Sequence, residues 1–284
     1  MTIRSTPLSG IRVVNTGLNL PAPAATRRLV DLGASAIKVE PPGGDPFSVF
    51  CPDWYAAMHE GVERRSIDLK TIPGQEAMAA LLEGASVLVT SQRPGALKRM
   101  GLDAADLRER FPRLCIVNIV GAPGAEAQAP GHDLTYQARA GLLAPPHLPR
   151  TLLADLAGAQ EAVIAVLALL AAGGGIAEVA LSTAAAYFQA PLTHGLTRPG
   201  GYLGGGHAGY QLYATTDGWI SLAALEPTFW LRLREHLPEG VPASPFPIEA
   251  QEVLRGLFGR HTTAHWLAWS RQYDIPLEPV VDMT

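Results

Sequence analysis

An alternation running through the first 120 residues limits the possible folds more than any other feature of the chain. Short apolar runs take turns with helix-like segments: "IRVVNT", then "PAATRRLVDLG" closed by Gly33, then "AIKVE", "GQEAMAALLEG", "SVLVT" and "LCIVNIVG". Runs that stay apolar instead of alternating with polar residues belong to strands covered on both faces. Strands separated by helices of this length pair in parallel. The pattern predicts a Rossmann-like α/β domain, a parallel sheet with helices on both sides.

The glycines that such a domain uses to hold a dinucleotide are missing. "GLNLPAPAATRR" follows the first strand where G-x-G-x-x-G would stand, so no NAD is expected. "PGALKRMG" resembles a phosphate loop only superficially, because it lacks the G-K-[ST] ending. From about 120 to 160 the chain is rich in Gly and Pro and reads as loop, the usual seat of function on a rigid scaffold. An apolar helix over 156–172 follows and ends at Gly173. It reads as a core helix, since the apolar run around it is too short to span a membrane.

Beyond a short strand "AEVAL", a small-residue helix and a second Gly-rich loop, Asp217-Gly218 marks a turn and "WISLAAL" a strand. "PTFWLRLREHL" reads as a helix opened by Pro227. The expected organisation is a large domain over 1–194, a smaller α+β domain over 195–275, and a shortened return segment over 276–284.

Composition narrows the function classes. A net charge of −4 without an extended basic run gives no footprint for nucleic acid. Cys51 and Cys115 stand in unrelated contexts, so neither a disulfide framework nor a zinc site is indicated. His207, His261 and His265 lack the further ligands a metal would need. With no signal-peptide core at the N-terminus, the cytoplasm is the expected location.

Two polar insertions stand out: His132-Asp133 in "GHDLTYQARAGLL" and Asp155 in "TLLADLAG". Taken alone, Asp155 reads as a helix N-cap, His132 as a loop-bracing histidine, and Glu226-Pro227 as a helix start. Arg64, Arg65 and Arg93 read as surface cations.

The ordered set "LSGIRVVN", "DLGASAIKVEPPGGD", "RRSIDLK", "SVLVTSQRPGALKRMGLDAADLRERFPRL", "GHDLTYQARAGLL", "LLADLAG", "GGGIAEVAL" and "TTDGWISLAALEPTFW" resembles the class III coenzyme A-transferase (CaiB/BaiF) family over nearly the whole chain. The resemblance implies a CaiB/BaiF-type fold, an interlocked homodimer, and an acyl-CoA thioester as substrate with no cofactor beyond its CoA moiety. Gly131, His132, Asp133 and Tyr136 follow the motif of the α-methylacyl-CoA racemase branch, as does Leu-Leu-Ala-Asp at 152–155. In the transferase branch the position of His132 is usually aromatic, and the aspartate matching Asp155 is the nucleophile.

The racemase resemblance makes His132 and Asp155 two bases flanking the α-carbon of a 2-methylacyl thioester, a neutral imidazole on one face and a protonated carboxyl on the other. Asp155 would need burial to stay protonated at a helix N-terminus. The resemblance also makes Glu226 a supporting residue for His132, and Lys38, Arg64, Arg65 and Arg93 the cations that meet the CoA phosphates. Asp133 is expected to fix the loop by accepting backbone N–H groups rather than to enter the chemistry. A shorter stretch over 141–150 than the racemases carry leaves two other readings open: a CoA-transferase, and a relative that binds without reacting.

Overall fold

The computed structural model describes residues 6–238 and 240–282. The chain forms two compact units, the first ending at Gln189 and the second starting at Ala190. Residues 190–194, expected with the large domain, therefore group with the second unit, where they hold α10 (Ala190–Thr193).

In the first unit, β1 (Arg12–Asn15), α1 (Pro21–Asp31), β2 (Ser35–Glu40), α2 (Phe47–Phe50), α3 (Pro52–Met58), β3 (Glu63–Ser66), α4 (Ile72–Glu83) and β4 (Val87–Thr90) come first. They lead into α5 (Pro94–Arg99), α6 (Ala104–Arg110), β5 (Cys115–Val120), α7 (Asp133–Arg139), α8 (Leu153–Ala172), β6 (Gly175–Ala180) and α9 (Leu181–Tyr187). The sheet order is β3-β2-β1-β4-β5-β6 and every pairing is parallel. The central strands are apolar on both faces, with Val13, Val14, Leu88, Val89, Ile116 and Val117 fully buried, as the unbroken apolar runs require. At the edge, β3 is exposed throughout and carries Glu63, Arg64 and Arg65, charges that discourage further strand pairing.

This strand order reverses direction between β1 and β4. From β1 the chain winds outward through β2 and β3, then returns to the centre and winds the other way. The loops leaving β1 and β4 therefore diverge and open a crevice at the carboxyl ends of the strands.

Helix α8 begins at Leu153 with Leu152 as N-cap, three residues earlier than expected. Asp155 thus sits inside its first turn and is not its cap. The other end agrees with expectation: Gly173 stops the helix at φ 78°, a left-handed conformation that favours glycine. One face of α8, with Ala154, Ala157, Gly158, Ala162 and Val166, packs into the core against α1 and α9. Small residues there let the helices approach closely. The opposite face leaves Ile164 and Leu167 exposed, so α8 is half a core helix. Among the described residues it is also the one helix long and apolar enough to cross a membrane by length and composition.

The second unit pairs β7 (Tyr210–Ala214), β8 (Trp219–Ala223) and β9 (Leu277–Pro279) in an antiparallel sheet, order β7-β8-β9. Its helices α11 (Pro227–His236), α12 (Ile248–Phe258) and α13 (Thr263–Tyr273) bury Trp230, Leu254, Phe258 and Trp266 with Tyr213, Ile220 and Leu222 of the sheet. The expected return segment over 276–284 is corrected here as far as it is described: Leu277–Pro279 closes this sheet. Pro279 is tolerated because β9 lies at the edge.

Candidate active site

The segment read as loop between 131 and 143 is mostly helix. His132 is the N-cap residue of α7 with extended backbone, and its N–H donates to Thr135 Oγ1 at 3.1 Å, the returning half of a capping box. This presents the His132 side chain at the head of the helix, exposed to solvent. Asp133, the first residue of the helix, is buried, as are Tyr136 and Gln137 one turn further on.

Asp133 joins the two polar insertions. Its Oδ1 accepts the backbone N–H of Asp155 at 3.1 Å, so the carboxylate of α7 satisfies one of the open donors of α8. Its Oδ2 accepts from Gln137 Nε2 at 2.6 Å. Asp133 was expected to accept backbone N–H groups; one of its two partners is such a group and the other is a side-chain amide. The Asp155 N–H, in turn, is committed to Asp133 and is not a donor for substrate.

Both inserted residues line one cavity of about 160 Å³, together with Leu18, Asn19, Arg93 and Tyr136. It lies where the strand order reverses, because its walls are the segments following β1, β4 and β5. All its lining residues belong to the first unit. Burial is the main reason the Asp155 carboxyl is pushed up to about 7, and the neighbouring Asp133 charge adds to it. Burial likewise raises the Tyr136 hydroxyl, with Asp155 adding and Arg139 and Arg93 opposing.

Gly131 is fixed by sterics. A Cβ there would stand 2.7 Å from two ring carbons of Tyr136, which is also wedged against Gly121. Gly131→Ala is expected to displace Tyr136, lower stability by about 1–3 kcal/mol and slow turnover by up to about 10²-fold. Thermal melting and initial rates check this.

The cations are dispersed. Arg93 stands exposed on the cavity rim. Arg64, on β3, lies 5.7 Å above the Tyr55 ring, whose hydroxyl donates to Glu40 at 2.5 Å. Arg65 pairs with Glu63 at the surface, 2.7 Å apart.

Lys38 corrects the expectation of a phosphate-facing cation. It is fully buried, bonded to Asp45 Oδ2 at 3.0 Å and to the Gly17 carbonyl. Burial lowers its pKa while Asp45 opposes that. Asp45 also accepts the backbone N–H groups of Asn19 and Phe47, each at 3.0 Å. The buried pair thus holds the Leu18–Asn19 wall from behind, with Asn19 at φ 62°, a conformation that non-glycine residues seldom adopt. Across the crevice, Leu18 N–H donates to Ser91 Oγ at 3.1 Å and Gln92 Nε2 donates to the Thr16 carbonyl at 2.5 Å.

Glu226 belongs to the second unit, where it is the exposed N-cap position of α11 without a side-chain bond to that helix. Among the described residues no group of three or more His, Cys, Asp or Glu side chains is placed to hold a metal ion. Sequence reasoning missed Gln137 and gave Asp45 no role. A signal existed for Gln137, which stands four residues after Asp133 and so shares its helix face. Asp45 had none, since its partners lie in other segments.

Residues 8–284 match the sequence pattern of CoA-transferase family III. The crystal structure of Rv3272 from Mycobacterium tuberculosis superposes with TM-score 0.85 at 25% identity, over 98% of this chain and 86% of that one. A CAIB/BAIF family protein from Brucella suis shares the fold, TM-score 0.83 at 23% identity, covering 98% and 85% of the two chains. The probable fatty acyl-CoA transferase Rv3272 is 28% identical over 80% of this chain and 68% of its own length. Human alpha-methylacyl-CoA racemase is 27% identical over 96% and 78%. Human succinyl-CoA:glutarate CoA-transferase is 26% identical over 98% and 72%.

Proposed function

The chain belongs to CoA-transferase family III, and on that premise we propose that it is an acyl-CoA racemase or epimerase acting at the α-carbon of a 2-methylacyl-CoA. The observation that carries this reading is the pairing, in one cavity, of an exposed imidazole with a carboxyl held near neutrality. Inversion at the α-carbon needs a base on one face and an acid on the other. A group titrating near the working pH can serve as either.

In the proposed cycle the thioester's α-carbon lies between His132 and Asp155. Neutral His132 removes the α-proton, the electron pair moves onto the carbonyl oxygen as an enolate, and the Asp155 carboxyl returns a proton to the opposite face. For the other enantiomer the Asp155 carboxylate removes the proton and the His132 imidazolium returns one. Arg93, at the cavity rim, is the cation proposed to meet a phosphate of the CoA moiety. Glu226 is kept as a supporting residue on the family resemblance.

The second reading is an acyl transfer in which Asp155 attacks the thioester carbonyl and expels the CoA thiolate. The two transferase relatives favour it. Incubating the protein with a 2-methylacyl-CoA in D₂O, without acceptor acid, tests the choice. Deuterium entering the α-position supports the racemase. Absence of exchange, with an Asp155 anhydride or CoA thioester trapped by hydroxylamine once an acid acceptor is added, overturns it. Absence of both, with CoA binding retained, leaves a relative that binds without reacting.

A further inference from the structure

The connection between the two candidate catalytic residues passes through a side chain that neither motif explains. Gln137 is 2% exposed, so its amide must find partners inside the protein. A single nitrogen supplies both bonds: Nε2 donates to Asp133 Oδ2 at 2.6 Å and to the Thr151 carbonyl at 3.1 Å. Asp133 passes the connection on to the Asp155 N–H. Thr151 precedes α8 and Asp155 lies in its first turn, so the amide ties α7 to the start of α8 at two points. His132 heads α7 and Asp155 sits on α8.

We propose that Gln137 is a positioning residue: its buried amide clamps the head of α7 to the start of α8 through Asp133 and Thr151, fixing the distance between His132 and Asp155. The proposal rests on the two-base reading for its consequence in turnover, but not for the clamp itself. An amide suits the place because one NH₂ has two protons to give, one for a carboxylate and one for a carbonyl. A hydrocarbon of the same size would leave the buried Asp133 oxygen unpaired and the Thr151 carbonyl without this donor.

Gln137→Met keeps the volume and removes the donors. Its expected effects are a tenfold or greater acceleration of hydrogen exchange at the Asp155 amide and a fall in kcat of about 10–100-fold, with KM within twofold of the parent. Gln137→Asn, one methylene shorter, is expected to do the same and serves if the methionine variant does not fold. If Gln137 acts through Asp133, Gln137→Met adds little to kcat in an Asp133→Ala background, whereas independent packing roles would add. Parent-like exchange at the Asp155 amide, or full additivity in the cycle, overturns the proposal. A parent protein that exchanges no α-proton defeats the two-base reading alone, and the amide exchange still decides the clamp.

Discussion

His132→Ala is expected to abolish interconversion of the two enantiomers of a 2-methylacyl-CoA while leaving one enantiomer able to exchange its α-proton. Each base serves one face. Without the imidazole, a proton on the face of His132 is no longer removed. The opposite enantiomer still loses its proton to Asp155, which in D₂O returns deuterium to the same face with retention. Interconversion should fall by about 10²–10⁴-fold, the usual worth of a positioned general acid or base. Because His132 is exposed at the head of α7, its melting temperature should change little. Loss of exchange from both enantiomers together would contradict the assignment of one base to each face.

Asp155→Asn is the mirror experiment and carries a signature in stability. A free aspartate titrates near 4, whereas the Asp155 carboxyl in the fold is pushed up to about 7. Between those values the folded protein holds a proton that the unfolded chain has released. Stability is therefore fully present at acid pH and lost as pH rises through the folded value. The asparagine removes that loss, so its gain in melting temperature should be small near pH 4 and largest above pH 7. A gain independent of pH would mean that Asp155 does not titrate as described.

The second large effect lies behind the cavity wall. Lys38→Met leaves the Asp45 carboxylate buried without its ammonium partner and is expected to cost about 3–5 kcal/mol, a fall in melting temperature on the order of 10 °C. Lys38→Met combined with Asp45→Asn should recover part of that loss. The charge is then gone, while the asparagine oxygen can still accept the Asn19 and Phe47 N–H groups. Additive losses in the pair would contradict a coupled buried ion pair.

The parallel sheet was legible because unbroken apolar runs leave few alternatives, and β1, β2, β4 and β5 lie where those runs predict them. The helix over 133–139 was hidden by the Gly and Pro on either side of it. It is held in place by Asp133, whose partner lies on α8. Asp155 looked like a cap because an aspartate preceding an apolar stretch usually is one. The helix starts earlier because Asp133 supplies the capping acceptor from another element. Lys38 was expected to meet a phosphate only because the family resemblance places a cation there. Only the fold shows Asp45 beside it. Strand β9 was missed because Pro276 precedes it and Pro279 ends it, prolines that an edge strand tolerates.

The most direct test of the two-base reading follows the configuration and the label together. A single enantiomer of a 2-methylacyl-CoA is incubated with the protein in D₂O without acceptor acid, and the products are separated by configuration and weighed by mass spectrometry. The two-base reading predicts product of inverted configuration carrying one deuterium at the α-carbon, formed from either starting enantiomer. Substrate that keeps both its configuration and its α-proton, while its CoA passes to an added acid and its acyl group is released as the free acid, would contradict it.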